Sequence, residues 1–205
     1  MMSGGMLKHT AKQPNNIIQF ILDSDADVVC LQEFAVSPKE QYLTHEDVLR
    51  IFEKYPYKHI WYKQEQNWAK SGVATFSKYP IINKTNIQIQ SKYNVSVYTD
   101  IKIKGDTIRV FNNHLESNRL TERDRELPIH LKDSFDTEKL SGTTLHLSRK
   151  LGAAYKARAV QADTIASLVS SSPYKVIVCG DFNDIPVSYA YTKIKGNLKD
   201  AFSET

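Results

Sequence analysis

Val176-Ile-Val-Cys-Gly-Asp-Phe-Asn183 is an apolar run that stops at Gly180 and then presents Asp181 and Asn183. Such a run predicts a buried strand. In open α/β sheets, ligands and catalytic groups lie at the carboxyl ends of the strands. The segment therefore predicts a strand that delivers Asp181 and Asn183 to a functional site.

Two further segments have the same construction. Ala26-Asp-Val-Val-Cys-Leu-Gln-Glu33 is an apolar strand that ends in a carboxylate, and Thr107-Ile-Arg-Val-Phe-Asn-Asn-His-Leu115 delivers His114 near its end. Because strand residues alternate faces, Glu33 is expected to share a face with Leu31 and to point away from Gln32. If the three strand ends converge, they combine oxygen ligands for a hard cation with an imidazole and an amide. Phosphate ester hydrolysis uses these groups.

Size and composition indicate one globular domain over residues 1–205, because 41% of the residues are hydrophobic and 24% are charged. The net charge of +4 and the sequence pI of about 8.9 are compatible with an anionic substrate. No apolar run approaches the ~20 residues that span a bilayer, and the first residues lack the regions of a signal peptide. We expect a soluble chain, cytoplasmic by default, although a longer parent protein could carry an anchor or a signal.

The two cysteines, Cys30 and Cys179, both fall inside predicted strands. A disulfide between them is conceivable if the strands are neighbours. Buried free thiols are the favoured interpretation.

The order of the remaining elements predicts mixed sheets with helices on the outside. A helix is expected from about Asn16, and Thr44-His-Glu-Asp47 has the form of a capping box that opens a second helix with Val48, Leu49 and Phe52 on its buried face. The middle of the chain predicts an antiparallel meander, whose last hairpin turns at Gly105-Asp106. The strands are expected at 57–63, 72–77, 81–90, 95–103 and 107–114.

Regular periodicity disappears after Ser117. Residues 118–149 are mostly polar at their start and predict a loop or insertion, either a ligand loop or an ordinary solvated segment. A long helix is then expected from about Ser148 to Ser170, followed by the strand that begins at Lys175.

Five motifs in order resemble the endonuclease/exonuclease/phosphatase superfamily of metal-dependent phosphodiesterases, the deoxyribonuclease I-like enzymes. They are Val-Cys-Leu-Gln-Glu33, Ser71-Gly-Val-Ala74, Asn113-His-Leu-Glu-Ser117, Arg158 with Gln161, and Gly180-Asp-Phe-Asn-Asp-Ile-Pro-Val-Ser188. The resemblance spans about Asp27 to Phe202. It implies an α/β (α+β) four-layer sandwich, in which two packed mixed β-sheets are flanked by helices.

The same resemblance implies a role for each site residue. Glu33 would ligate Mg²⁺ or Mn²⁺, and Asp181 would orient or deprotonate the attacking water. Asn183 would hydrogen-bond the phosphoryl oxygens, and His114 would contact the scissile phosphate. Preorganised donors, a cation and a water-aligning carboxylate are what displacement at phosphorus requires.

Each assignment has a structural alternative. Glu33 could cap a loop at a strand end, Asp181 and Asn183 could form an Asx turn, and His114 could be a hydrogen-bonded core histidine. Arg158 shares a helix face with Gln161 and is expected to anchor loops or pair with an acidic group rather than touch substrate.

Two landmarks of the family are missing from the sequence. The family opens with a strand that ends in a metal-binding asparagine, whereas Asn15 and Asn16 precede a helix; it closes with a Ser-Asp-His segment that the chain does not contain. The sequence therefore predicts a domain that is incomplete at both termini, an internal part of a longer protein. Weak or no turnover is expected for these 205 residues alone.

The leading function is a divalent-metal-dependent phosphoric ester hydrolase of the phosphodiesterase, nuclease or phosphatase type. Nucleic acid, a phospholipid head group and an inositol phosphate all stay open as substrates, because fold analogy does not decide between them. No obligate protein partner is evident from the sequence. The alternative is a non-catalytic binding module on the same scaffold.

Overall fold

The computed structural model describes residues 7–121, 124 and 137–201. Four helices and seven strands are found there: α1 (Asn16–Asp23), β1 (Val28–Val36), α2 (His45–Ile51), β2 (Tyr57–Gln66), β3 (Ala69–Ser77), β4 (Ile81–Ile87), β5 (Val95–Ile103), β6 (Asp106–His114), α3 (Thr137–Ser170), β7 (Lys175–Asp181) and α4 (Tyr189–Lys195).

The strands form two sheets. The first has the order β1-β3-β2 and is antiparallel throughout. The second has the order β4-β5-β6-β7, with antiparallel pairs up to β6 and a parallel pair between β6 and β7. A parallel pair needs a crossover connection, and α3 lies in the connection between β6 and β7.

The sheets pack face to face, and each carries helices on its outer side, so the molecule is the expected α+β four-layer sandwich. Helices α1 and α2 bury Ile18, Val48 and Phe52 against Phe76 of the first sheet. Helices α3 and α4 cover the outer side of the second sheet, where a core forms from Phe111, Leu115, Ala162, Ile165, Ala190 and Ile194. Between the sheets, Val73 packs with Val95, Val97 and Trp61.

Side-chain caps explain where the first two helices begin. The Asn15 side chain accepts hydrogen bonds from Ile17 N at 3.0 Å and Ile18 N at 3.3 Å. These backbone N–H groups belong to the first turn of α1 and have no acceptor within the helix. The expected capping box is present, since Thr44 Oγ1 accepts from Asp47 N and the Asp47 carboxylate accepts from Thr44 N, both at 3.0 Å.

Three details differ from the expectations. The hairpin before β6 turns at Lys104 and Gly105, both with positive φ, because Ile103 pairs with Asp106. Helix α3 begins at Thr137 instead of about Ser148, so the end of the predicted loop or insertion at 118–149 is helical. Leu49 is 37% exposed and does not belong to the buried face of α2.

Residues 122–123 and 125–136 of the segment 118–149 lie outside the described residues. Cys30 and Cys179 are free thiols, as favoured, although both are half-buried and not fully buried. Within the described ranges, no helix combines the length and the apolar character needed to cross a lipid bilayer.

Candidate active site

The parallel pairing of β6 and β7 places His114 directly beside Asp181. The two residues are Cα partners in the register, and Leu115 N donates a hydrogen bond of 2.9 Å to Asp181 O just beyond them. Side chains at paired positions of neighbouring strands lie on the same face of the sheet. His114 and Asp181, which the whole crossover connection separates in the sequence, therefore become neighbours at one end of the second sheet.

Gly180 makes this close pairing feasible. Its φ is +145°, and a Cβ at this position would lie 2.0 Å from the carbonyl oxygen of Asn113. A side chain would therefore separate β6 from β7 immediately before Asp181. Gly180 of the motif therefore allows β6 and β7 to pack this closely.

Glu33 reaches the site through a β-bulge, and this corrects the expected alternation. Leu31 pairs with Ala74 but Phe34 pairs with Gly72, so two residues of β1 oppose one residue of β3. Glu33 has a φ of +51°, the left-handed conformation that bulges use. Leu31 and Phe34 stay on the helix-covered side, whereas Glu33 lines a cleft together with His114.

This cleft has a volume of about 290 Å³ and lies at the end of the two sheets. It is lined by Glu33, Gln64, Ser71, Gly72, Tyr93, Asn94, His114, Ser117 and Arg119. Pockets of roughly 300 Å³ are at the small end of ligand sites, so the cleft matches a compact polar group.

Acidic groups surround a largely buried imidazole at the base of the cleft. Burial lowers the pKa of His114 below its ordinary value, and the negative charges of Asp181, Glu33 and Glu116 oppose this effect in that order. The imidazole is therefore neutral at pH 7, with one N–H donor and one acceptor nitrogen. Its interaction with both Glu33 and Asp181 places the three predicted residues in one electrostatic environment.

Asp181 and Asn183 form the Asx turn that the sequence offered as an alternative. Asn183 N donates to Asp181 Oδ1 at 2.8 Å, and Asn183 has a φ of +51°. The Asn183 amide also donates to Leu115 O at 2.9 Å. The turn holds the Asn183 side chain next to the residue that follows His114, so the turn and the site are compatible.

Buried polar groups of α3 hold the loop that follows His114. Arg158 is fully buried and donates to Glu116 O at 2.8 Å, to Asn118 Oδ1 at 2.9 Å and to Asp184 Oδ2 at 2.9 Å. Gln161 Oε1 accepts from Glu116 N at 2.9 Å. These contacts give Arg158 and Gln161 a positioning role, since they join the loop after β6 to the loop after β7.

The donor set is compatible with Mg²⁺ that keeps part of its water shell. Among the residues that the structure describes, no three His, Cys, Asp or Glu side chains are grouped closely enough to enclose a metal ion. Glu33 offers an exposed carboxylate at the cleft. Mg²⁺ typically binds through one or two carboxylates, waters and substrate phosphate oxygens, so one glutamate fits this mode and not an all-protein cage.

Comparison with known proteins agrees with this geometry. The model of the endonuclease/exonuclease/phosphatase family matches residues 6–204. The chain belongs to this family. No curated protein sequence matches it significantly.

Several solved structures are similar to this chain in fold. Beta toxin from Staphylococcus aureus is 21% identical, with a TM-score of 0.55 over 89% of this chain and 61% of that chain. Sphingomyelinase C from Streptomyces griseocarneus is 15% identical, with a TM-score of 0.53 over 89% and 61%. A beta toxin mutant with bound magnesium ions has 21% identity and a TM-score of 0.54 over 89% and 60%. The chain thus spans about three fifths of the length of these structures.

Sequence analysis missed several residues that line the cleft, among them Tyr93 and Arg119. Both lie in connections without a periodic pattern. The signal that could have found Arg119 is its position five residues after His114, in the segment that the motif Asn113-His-Leu-Glu-Ser117 introduces.

Proposed function

We propose that the protein is a divalent-metal-dependent phosphoric ester hydrolase that uses Asp181 to activate water. The observation that carries the proposal is the register of β6 and β7, which sets Asp181 beside His114, while the bulge turns Glu33 into the cleft that His114 lines. A carboxylate for the metal, a carboxylate for the water and an imidazole for the phosphate are the groups that attack at phosphorus requires.

In the proposed reaction, water attacks phosphorus and the bond to the leaving oxygen breaks. Asp181 takes the proton of the attacking water, and the departing oxygen takes a proton from solvent. Neutral His114 donates its N–H to a phosphoryl oxygen, and Asn183 donates a second amide hydrogen beside it. When bound at Glu33, Mg²⁺ or Mn²⁺ would supply charge neutralisation of the phosphoryl oxygens.

Metal binding by this chain is proposed to be weak. The reason is the single carboxylate at the cleft and the lack of a three-ligand group among residues 7–121, 124 and 137–201. Slow but measurable turnover by the 205 residues is therefore part of the proposal, and a metal concentration well above that of a caged site is expected to be required.

Hydrolysis of bis(p-nitrophenyl) phosphate and p-nitrophenyl phosphate during a Mg²⁺ titration tests the proposal. We expect metal-dependent release of p-nitrophenol, abolished by a chelator, with Asp181→Asn slower by about 10²–10⁴-fold. The matched control is Asp106→Asn, because Asp106 lies at the opposite end of β6 with a side chain that is 76% exposed. Activity that survives both the chelator and Asp181→Asn would refute this function.

The binding-module alternative gives a different result in the same experiment. It predicts Glu33-dependent binding of inorganic phosphate by calorimetry without release of p-nitrophenol at any metal concentration. The two outcomes are distinct, so one series of measurements decides between them.

A further inference from the structure

We propose that Arg119, held against Tyr93, is a specificity-determining residue that binds a second phosphate group of the substrate. The inference rests on the proposed function, since it assigns the substrate class of the same cleft. Lys92, Tyr93 and Arg119 are together called the cationic rim. Tyr93 and Arg119 line the cleft that His114 and Glu33 also line.

The guanidinium of Arg119 is oriented by two contacts. It forms an ion pair with Glu116 through Nη2, and its central carbon lies 4.8 Å from the centre of the Tyr93 ring. The Arg119 side chain is 44% exposed, whereas the Glu116 side chain is 10% exposed. A guanidinium has five N–H donors in a fixed fork, so a group that is oriented but open to the cleft is suited to binding phosphate oxygens.

The segment that carries Tyr93 is fixed to the segment that carries Arg119. Ser91 Oγ donates to Glu116 Oε2 at 2.6 Å, and Asn94 Nδ2 donates to Leu115 O at 2.8 Å. Asn94 and Glu116 are both buried. Because these bonds connect the rim to the backbone next to His114, the rim is positioned relative to the proposed catalytic groups before any ligand arrives.

A third contact joins the rim to the first sheet. Gln64, at the end of β2 and itself a cleft residue, donates to Lys92 O at 2.5 Å. Preorganised groups lose little conformational entropy when a ligand binds, which favours affinity and discrimination.

The charges of the rim favour an anionic neighbour of the scissile phosphate over a quaternary ammonium group. Lys92 Nζ lies 5.3 Å from the centre of the Tyr93 ring, and Arg119 lies over the same ring. An aromatic cage for an ammonium group needs the ring for the ligand cation, whereas two protein cations already interact with Tyr93. A zwitterionic phosphocholine would bring its positive charge towards them.

A second phosphate group is attracted by the positive charges of the cationic rim, which would repel an ammonium group. Charge-assisted hydrogen bonds from a guanidinium to phosphate oxygens are among the stronger polar contacts in proteins. Substrates with two phosphate groups close together include nucleic acid strands and polyphosphorylated head groups. The shared chemistry is the second phosphate, and the experiment below distinguishes the two sources.

Equilibrium binding measured by calorimetry in the presence of a chelator tests the inference without turnover. Thymidine 3′,5′-bisphosphate is compared with thymidine 3′-phosphate, and inositol 1,4-bisphosphate with inositol 1-phosphate. We expect the wild-type protein to prefer the bisphosphate of at least one pair by about tenfold or more, and Arg119→Gln to reduce that preference to about twofold. Arg119→Gln should also bind phosphocholine at least as well as the wild type does.

The control variant is Arg50→Gln, which removes the same charge from α2, where the Arg50 side chain is 73% exposed. It should keep the preference, because a general effect of net charge does not depend on position in the cleft. A preference in the nucleotide pair alone supports the site with a strand phosphate as its ligand, and a preference in the inositol pair alone supports a head group.

The inference is overturned by no preference in either pair, by a preference that Arg119→Gln leaves intact, or by equal losses in Arg119→Gln and Arg50→Gln. Its failure is separable from that of the proposed function. A preserved binding preference without metal-dependent hydrolysis rejects the hydrolase alone, whereas hydrolysis without a preference rejects only the role of Arg119. Circular dichroism of both variants confirms that they are folded.

Discussion

Gln32 Nε2 donates a hydrogen bond of 2.7 Å to Asn112 Oδ1 and so joins the two sheets one residue before Glu33. The fully buried Asn112 amide also donates to Ala74 O at 3.0 Å and to Thr75 Oγ1 at 3.3 Å. One side chain of β6 is thus bonded to β1 and β3. The contact fixes how the strand that carries His114 lies relative to the strand that carries Glu33.

Replacement of Asn112 is expected to destabilise the protein by about 2–4 kcal/mol. Asn112→Ala removes the hydrogen bonds to Gln32, Ala74 and Thr75 and creates a cavity between the sheets. Urea unfolding followed by tryptophan fluorescence measures the change. The exposed Asn197 provides the control, since Asn197→Ala should stay within about 0.5 kcal/mol; equal effects of the two variants would contradict the bonding role of Asn112.

Two glycine-to-alanine changes are expected to have opposite signs. Gly180→Ala forces a Cβ to within 2.0 Å of Asn113 O at a φ of +145°, so we expect a loss of about 3 kcal/mol or more, or a failure to fold. Gly152→Ala meets nothing within 4 Å in α3 and should stabilise by up to about 1 kcal/mol. Thermal unfolding of both variants checks the signs, and a neutral Gly180→Ala would show that β6 and β7 do not need this approach.

A lysine is not expected to replace the guanidinium group of Arg158 without a loss of stability. Arg158→Lys keeps the charge but reaches fewer of its partners Asp184, Glu116 and Asn118, so unfolding should become easier by about 2–4 kcal/mol. The same change at Arg149, an exposed residue of the same helix, is the control and should be nearly neutral. If the denaturation midpoints of the two variants agree, Arg158 is not the anchor of the loops beside the site.

His59 gives the free energy of unfolding a defined pH dependence. Its ring lies between the sheets, with Nδ1 2.9 Å from Thr99 Oγ1 and Nε2 3.0 Å from Asn86 Oδ1. Burial lowers the pKa of His59 from the ordinary value of 6.5; the hydrogen bond with Asn86 opposes this, and the charge of Lys84 adds to it.

The unfolded imidazole therefore binds a proton at a higher pH than the folded one. This contribution to stability is present above pH 6.5 and is lost as the pH falls through the lowered pKa of the folded state. Urea unfolding at several pH values should show a smaller loss of stability below about pH 6.5 in His59→Gln than in the wild type. Parallel curves for the two proteins would exclude His59 as the source.

Those features of the candidate site that depend on local sequence patterns could be predicted from the sequence. The apolar runs predict strands that lead to His114 and Asp181, and both strands end there in the structure, because a buried strand requires apolar residues along its length. The capping box at Thr44 and Asp47 was equally readable, since it involves residues three apart. The family motif then supplied the expectation that these strand ends meet.

The parts that depend on contacts between distant segments were not readable. The direction of Glu33 follows from a bulge opposite Val73, and simple alternation assigns it to the wrong face. The start of α3 was misplaced because its first turns lack the apolar stripe by which helices are recognised; Leu145, for example, is 51% exposed. Tyr93 and Arg119 approach each other only through the fold.

The parallel pairing of β6 and β7 also determines when the site can appear during folding. The hairpin of β5 and β6 joins adjacent segments, whereas Asp181 reaches His114 only after the intervening chain and α3 have closed a long loop. Contacts of this range form slowly because loop closure costs entropy before pairing repays it. Pulse-labelling hydrogen exchange should therefore protect the amides of β5 before those of β7, which makes the candidate site one of the last parts of the fold to form after synthesis.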